Sequence, residues 1–391
     1  VGEAEGVSVR ILQGDCGDVL KTLPDESVNC IVTSPPYWRQ RDYGVAGQLG
    51  LETTPEEYID KLVAIFAECR RVLRMDGTCW VNLGDKWASG GNSGGGSFME
   101  ERAEAWAHVK QNKGWRSPPT GYKDKDLVGL PWMFAFAARA GFARCDGCDM
   151  ELRGDLWPVW NGHRVCVACE RAGKQGTHVI QSQEGWYLRQ CNIWAKPNCM
   201  PESVMDRSTA AHEYVFQLTK NNDYWYDAEA ARTPAAPSSE TRLAQNVDAQ
   251  AGSLRANAGG KTNGPMKAVA RTDKQRGHTR KHAGFNDRWD AMPVAEQCAM
   301  GANLRSVWWI SPAQYREGHY AVMPAALAEI CIAAGCPDGG TVLDPFGGAG
   351  TTGLVADRLG RDAILIELNP MYADMARKRI VGDAPLFAEV A

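Results

Sequence analysis

The 391 residues are 44% hydrophobic and 23% charged with a net charge of −4, the balance of a soluble globular chain long enough to bury a large core and hold more than one module. The longest nearly apolar run, residues 127 to 138, contains Pro131 and is too short to span a bilayer; no signal peptide opens the chain, and thirteen cysteines, an odd number mostly scattered singly, argue against a disulfide framework and for a reducing cytoplasm. The acidic balance excludes a uniformly basic coat, so any nucleic-acid surface must be local.

Residues 9 to 15 read as a strand ending at Asp15, followed by a helical turn through Val19 and Leu20. A second apolar run, 28 to 32, leads into Thr33-Ser34-Pro35-Pro36-Tyr37. Ser34 and the Pro35 carbonyl can accept hydrogen bonds from an amino group, Tyr37 offers a ring to a planar base, and the two prolines fix the backbone between them. The same four residues also suit an ordinary turn after a strand. Beyond them Trp38, Arg39, Arg41 and Tyr43 combine cations with rings, a loop fit for phosphates and bases or for solvent alone.

A helix is predicted over 55 to 73, with Thr54 as N-cap, Pro55 at its first position and Tyr58, Leu62, Ile65, Phe66 and Cys69 on one face. Asp76-Gly77 should turn the chain into a strand over 78 to 83. Residues 89 to 97 are almost all Gly, Ser and Asn and read as a flexible loop. A buried helix over 127 to 140 follows, opened by Gly129-Leu130-Pro131 and closed near Gly141, and the next strand pattern is 185 to 194. Between them lie Cys145-x-x-Cys148 and Cys166-x-x-Cys169, separated by residues 149 to 165. Two such hairpins can set four thiolates tetrahedrally around Zn²⁺ in a structural site, since no position is left open for water.

Residues 229 to 300 lose periodicity, and from 241 to 290 ten Lys and Arg face four Asp and no Glu. The stretch reads either as a linker or as a basic segment of the kind phosphate neutralisation requires. Regular structure resumes with 307 to 310 and a helix over 325 to 334. Residues 341 to 353 then read as a strand, a Gly-rich turn and a helix start, and Glu367 ends the following strand, where a carboxylate can bind ribose hydroxyls. Gly348, Gly350 and Gly353 alone also match a dinucleotide fingerprint, which leaves an NAD-dependent oxidoreductase open. The alternation of strands and helices predicts an α/β fold, a doubly wound and mostly parallel Rossmann-like sheet.

Taken together, TSPPYW at 33 to 38 and DPFGGAGTT at 344 to 352 resemble the amino-group DNA methyltransferases that use S-adenosylmethionine, in the motif order of their circularly permuted beta group. The resemblance implies a catalytic turn of Ser34, Pro35, Pro36 and Tyr37. It implies a cofactor site of Thr33, Asp344, Phe346, Gly347, Gly348, Gly350, Thr351, Thr352 and Glu367, with Asp15 and Cys16 beside the adenine and His319 and Ala321 near the methionine end. In that family a strand follows the helix ending near 140 almost at once, so 142 to 185 is an insertion carrying the zinc cysteines. The catalytic domain is then 1 to 141, 186 to 228 and 301 to 391, with a target-recognition region at 229 to 300. Residues 196 to 216 should wall the base pocket. Serine at position 34 is commoner in N4-cytosine enzymes and aspartate in N6-adenine enzymes, so cytosine N4 is the expected target and adenine N6 the alternative. Double-stranded DNA is the implied partner, with a cognate restriction endonuclease as a second and no membrane; a non-catalytic zinc-dependent nucleic-acid-binding protein is the remaining rival.

Overall fold

The computed structural model describes residues 8–88, 121–140, 185–235, 292–313 and 322–383, together with short backbone strands at 110–111, 142–145, 151–153, 159–160, 163–164, 180–183 and 389–390. The Gly-rich loop, Cys148, Cys166, Cys169, the side chain of Cys145, His319, Ala321 and the basic segment 241 to 290 lie outside the described residues. Two compact units divide the chain: Val1–Asp227 with Arg305–Ala391, and Ala228–Leu304.

Nine strands build the main sheet of the first unit: β1 (Ser8–Gln13), β2 (Val28–Thr33), β3 (Leu73–Leu83), β4 (Tyr187–Ala195), β5 (His212–Thr219), β6 (Val307–Trp309), β7 (Thr341–Asp344), β8 (Asp362–Glu367) and β9 (Glu389–Val390), in the order β6-β4-β5-β3-β2-β7-β8-β1-β9. Within this sheet β5 is antiparallel to both its neighbours, and every other pairing is parallel. The centre is apolar on both faces, as strands covered on both sides must be. Ile31, Cys79, Val81, Leu343 and Ile366 belong to the core formed with α1 (Cys16–Thr22), α2 (Pro55–Val72) and α3 (Leu130–Ala140). On the other face, Cys30, Thr78 and Trp80 meet α4 (Ala325–Gly335) so closely that a Cβ at Gly335 would lie 2.3 Å from Thr78 Oγ1. Gly353 in α5 (Thr351–Arg358) also packs closely, against Val9, Leu365 and Ile380, the last from α6 (Pro370–Asp383).

The expected start of α2 is present as a full capping box: Thr54 Oγ1 accepts from Glu57 N and Glu57 Oε2 accepts from Thr54 N. Two expectations need correction. α3 begins at Leu130 rather than 127, because Gly129 adopts φ +82° and Asp85 Oδ1 accepts from the backbone N–H of Gly129 and Leu130. Asp76-Gly77 does not open a strand but lies inside β3 at a register shift against β2. A Cβ at Gly77 would meet Asn29 O at 2.9 Å, so glycine permits the extra residues to lie against β2.

Between α3 and β4, the backbone strands Phe142–Cys145, Glu151–Arg153 and Ile180–Gln183 form a separate three-stranded sheet. Phe142 pairs with Gln183, so the two ends of this segment come together before the chain returns to the main sheet. In the second unit, Thr233 and Ala302 exchange backbone hydrogen bonds near a short helix, Val294–Ala299, which likewise ties the ends of that unit together.

Candidate active site

Parallel strands leave open crevices beyond their carboxyl ends. Here the ends of β2 and β7 are neighbours, with Cys30 opposite Val342 and Ile31 opposite Leu343. The Ser-Pro-Pro-Tyr turn and the Gly-rich turn therefore open on the same side of the sheet. Both line one cavity of about 1110 Å³, large enough for two ligand moieties side by side.

Asp344 joins the turns from below. It is 3% exposed, and its carboxylate accepts from Thr33 Oγ1 at 2.6 Å, Thr352 Oγ1 at 2.6 Å and Phe346 N at 3.0 Å. Burial raises its pKa above the usual carboxylate value, while these three donors pull it back. Thr33 is buried beneath the cavity and does not line it; neither does Gly350, whose φ of +76° and tight packing on Ala376 make it part of the turn's geometry.

Glu367, at the end of β8, fixes the far rim. Its Oε2 accepts from Gly348 N and its Oε1 from Asn369 N, both at 2.8 Å, and Gly348 has φ +50°. Burial raises the Glu367 pKa and the two backbone donors oppose it. Asp15 caps α1 through a bond from Asp18 N at 3.2 Å. The Cys16 thiol is pushed up to about 12, first by burial and then by Asp15, and stays neutral. Asp15, Cys16, Asp344, Phe346, Gly347, Gly348, Thr351, Thr352 and Glu367 all line the cavity, as do Ser34, Pro35, Pro36 and Tyr37.

Around the catalytic-type turn, three polar residues converge that the sequence reading had left without roles. Glu213 on β5 accepts from the Tyr37 hydroxyl at 2.5 Å and from Asn82 Nδ2 at 2.8 Å through Oε2, and it pairs with Lys196 through Oε1. Asn82, near the end of β3, also donates to the Tyr37 hydroxyl at 3.0 Å and lies 3.5 Å from Ser34 Oγ. The Lys196 ammonium sits 4.5 Å from the centre of the Trp194 ring. Tyr58 adds a bond from its hydroxyl to Pro36 O at 3.0 Å. Desolvation, then the Glu213 charge, raise the Tyr37 pKa well above its ordinary value, so the phenol stays neutral. Lys196 and Glu213 lie in the segment 196 to 216 that the resemblance expected to wall the base pocket, and a polar residue near the end of an otherwise apolar strand, as Asn82 is, was a further signal for this cluster.

In the neighbouring loop Arg41 and Tyr43 line the cavity, but Trp38 departs from expectation. Trp38 is 1% exposed and donates from Nε1 to Glu52 O, and Arg39 Nε donates to the same carbonyl. Trp38 is thus a core residue and unavailable to stack on a base. The cysteines also divide cleanly: Cys16, Cys30, Cys69, Cys79, Cys331 and Cys336 are buried free thiols. Among the described residues no group of three or more His, Cys, Asp and Glu is placed to hold a metal, and no helix is long and apolar enough to cross a membrane.

The DNA methylase family profile matches residues 28–378. The Type II methyltransferase M.SmaI of Serratia marcescens is 34% identical over 375 residues, covering 96% of this chain and 91% of its own length. Similar figures hold for Type II methyltransferase M.Cfr9I of Citrobacter freundii, 34% identical over 373 residues with 95% and 88% covered. Among solved structures, the cytosine-N4-specific PvuII DNA methyltransferase covers 96% of this chain and 87% of its own at 16% identity and a TM-score of 0.48.

Proposed function

The chain belongs to the N6/N4 DNA methylase family and is a DNA amino-methyltransferase; we propose that it methylates the N4 amino group of a cytosine flipped out of double-stranded DNA. The observation that carries the reading is the single cavity shared by the Ser-Pro-Pro-Tyr and Gly-rich turns, with Asp344 bridging Thr33 to Thr352 beneath it. Neither an oxidoreductase nor a non-catalytic binding protein gives the first turn a role.

The cavity suits S-adenosylmethionine. Glu367 has its two oxygens oriented by backbone donors on the cavity rim, where a carboxylate can receive ribose hydroxyls. The Gly348 backbone has no side chain to keep a ligand away, and Asp15 and Cys16 border the same space. When bound, the cofactor supplies an electrophilic methyl group. His319 and Ala321 are proposed for its methionine end.

An exocyclic amino group is a weak nucleophile because its lone pair is delocalised into the ring. Ser34 Oγ and the Pro35 carbonyl accept its hydrogens and draw the nitrogen toward tetrahedral geometry, which frees the lone pair for direct, in-line transfer. Most of the acceleration then comes from positioning. Tyr37 supplies the ring on which the extruded base rests. Serine at position 34 supports cytosine over adenine.

Outside the cavity, Cys145, Cys148, Cys166 and Cys169 are proposed to hold one structural Zn²⁺ in the inserted segment 142 to 185, and residues 229 to 300 to be the target-recognition region. A cognate restriction endonuclease is the expected companion of such an enzyme. The decisive experiment is mass spectrometry of nucleosides from DNA incubated with the protein and S-adenosylmethionine. N4-methylcytosine is expected; N6-methyladenine would move the assignment to the other base, and no methylated nucleoside would overturn it. Elemental analysis of protein purified without chelator should find one zinc per chain, lost in Cys166→Ser.

A further inference from the structure

Tyr37 has a second feature that stacking does not use, which is its hydroxyl. The phenol donates to Glu213 Oε2 and accepts from Asn82 Nδ2, so both its hydrogen-bonding roles are taken by protein and neither is left for the base. The carboxylate that holds it is itself held: Lys196 occupies Oε1, and the side chains of Glu213 and Lys196 are only 14% and 20% exposed. An ion pair so little exposed is far less screened than a surface pair.

Asn82 shows which group governs the cluster. Its amide is 3% exposed and is turned so that Nδ2 faces Glu213, Tyr37 and Ser34, although this leaves Oδ1 buried without a partner. An unpaired buried carbonyl is costly. The orientation is understandable only if the other side of the amide meets a stronger acceptor, and Glu213 is the anionic acceptor there. The residues come from three separate strands or their ends, β2, β3 and β5, and from the chain just after β4. Register makes the meeting possible: Asn82 lies opposite Val215, while Glu213 lies opposite Trp194, two residues before Lys196.

We propose that Glu213, clamped by Lys196, is the positioning residue of this methyltransferase: through the Tyr37 hydroxyl and the Asn82 amide it sets the ring of Tyr37 and Ser34 Oγ in register with the incoming amino group. Glu213 also lines the cavity, but both its carboxylate oxygens are engaged by protein donors, and in this role it acts through Tyr37 and Asn82. The ring is restrained from its other side as well, since a Cβ at Gly84 would come within 2.7 Å of Tyr37 Cε2. A ring held at its hydroxyl and along its edge has one orientation to offer, and the orientation of reacting groups is where such an enzyme gains rate.

This inference rests on the amino-methyltransferase reading above. The test compares wild type, Glu213→Gln, Tyr37→Phe and the double variant in single-turnover methyl transfer from tritiated S-adenosylmethionine to unmethylated bacterial genomic DNA, with cofactor affinity measured by calorimetry. Glu213→Gln keeps the side-chain shape, and Tyr37→Phe removes one oxygen and leaves the stacking ring. Each should lower the transfer rate about tenfold to a hundredfold, with cofactor affinity within about twofold and the rate constant falling more than the DNA KM rises. The double variant should be no slower than the slower single one, because both changes break one connection. Glu213→Asp should recover part of the rate. Wild-type transfer in Glu213→Gln, additive losses in the double variant, or loss of cofactor affinity in Glu213→Gln would each overturn the positioning role while leaving the methyltransferase reading in place. No transfer by the wild-type chain would overturn both.

Discussion

The turn after β2 and the turn after β7 face one cavity but are held in different ways. Residues 34 to 37 are fixed by two prolines and by side chains from other elements: Asn82 of β3 and Glu213 of β5 on Tyr37, and Tyr58 of α2 on the Pro36 carbonyl. Residues 344 to 350 are fixed through their backbone N–H groups, with Gly350 N bonded to Gly347 O and Phe346 N to the Asp344 carboxylate inside the turn, and Gly347 N bonded to Ile366 O and Gly348 N to the Glu367 carboxylate on the adjacent β8. The difference fits the two tasks. A turn that must present side-chain oxygens and a ring needs its side chains restrained. One that must let a ligand come close to bare backbone needs its N–H groups satisfied from within.

The two turns are nevertheless coupled at Asp344, and breaking that link should have the largest effect. Asp344→Ala removes the acceptor of the Thr33 hydroxyl and the Phe346 N–H and leaves the Thr352 hydroxyl only its longer bond to Val32 O at 3.3 Å, at about 1 to 3 kcal/mol for each buried group left unpaired. Thermal unfolding should shift down by many degrees, and calorimetry should find no S-adenosylmethionine binding. A variant of wild-type stability and affinity would uncouple the turns.

Ser34→Ala should separate them. It removes an acceptor from the first turn only, so turnover should fall about a hundredfold, the size expected for one lost transition-state hydrogen bond. Cofactor affinity should stay unchanged by calorimetry; a parallel loss of affinity would show that the turns are not independent.

Glu367→Gln tests the second turn alone and should weaken S-adenosylmethionine about tenfold, the value of a charge-assisted bond replaced by a neutral one. Its pH dependence has a definite sign. Burial raises the Glu367 pKa, so on acidification its carboxylate is protonated before ordinary ones, and the protonated form accepts hydroxyls less well. Wild-type affinity should therefore decline on acidification while ordinary carboxylates are still charged, and return on raising the pH. The same titration of Glu367→Gln should be flatter, and equal slopes would reject a cofactor role for the carboxylate.

The smallest effect is expected at Gly84. Alanine there places Cβ 2.7 Å from Tyr37 Cε2 in the present geometry, closer than a real Cβ contact, so the ring must move against its hydroxyl anchor. Gly84→Ala should lower turnover about threefold to tenfold with unchanged cofactor affinity, read from steady-state rates and calorimetry. An unaffected rate would show that the ring orientation is not limiting.

Local chemistry made much of this legible in advance. The N-cap at Thr54 with Pro55 after it, the apolar runs of β1, β2, β7 and β8, and the turn residues that follow them are written in contiguous sequence, where spacing and residue type suffice. The start of α3 and the interior position of Asp76-Gly77 were not, because each depends on a contact from afar, Asp85 for one and Asn29 for the other. Trp38 was misread for the same reason: an aromatic among cations looks like a binding residue until Glu52 O takes its N–H and the core covers its ring.

The sequence by itself determined the family, the two turns and the strands and helices that flank them, since these rest on residues adjacent to one another; β5 and α6 were not read from it. Only the tertiary structure decided which side chains complete the site. Glu213 lies 176 positions from Tyr37 and 131 from Asn82, and it reaches them because β5 runs antiparallel between β4 and β3. Had β5 slipped by one residue, the alternation of side chains would have turned its carboxylate to the opposite face of the sheet, and no local pattern in the chain records that choice.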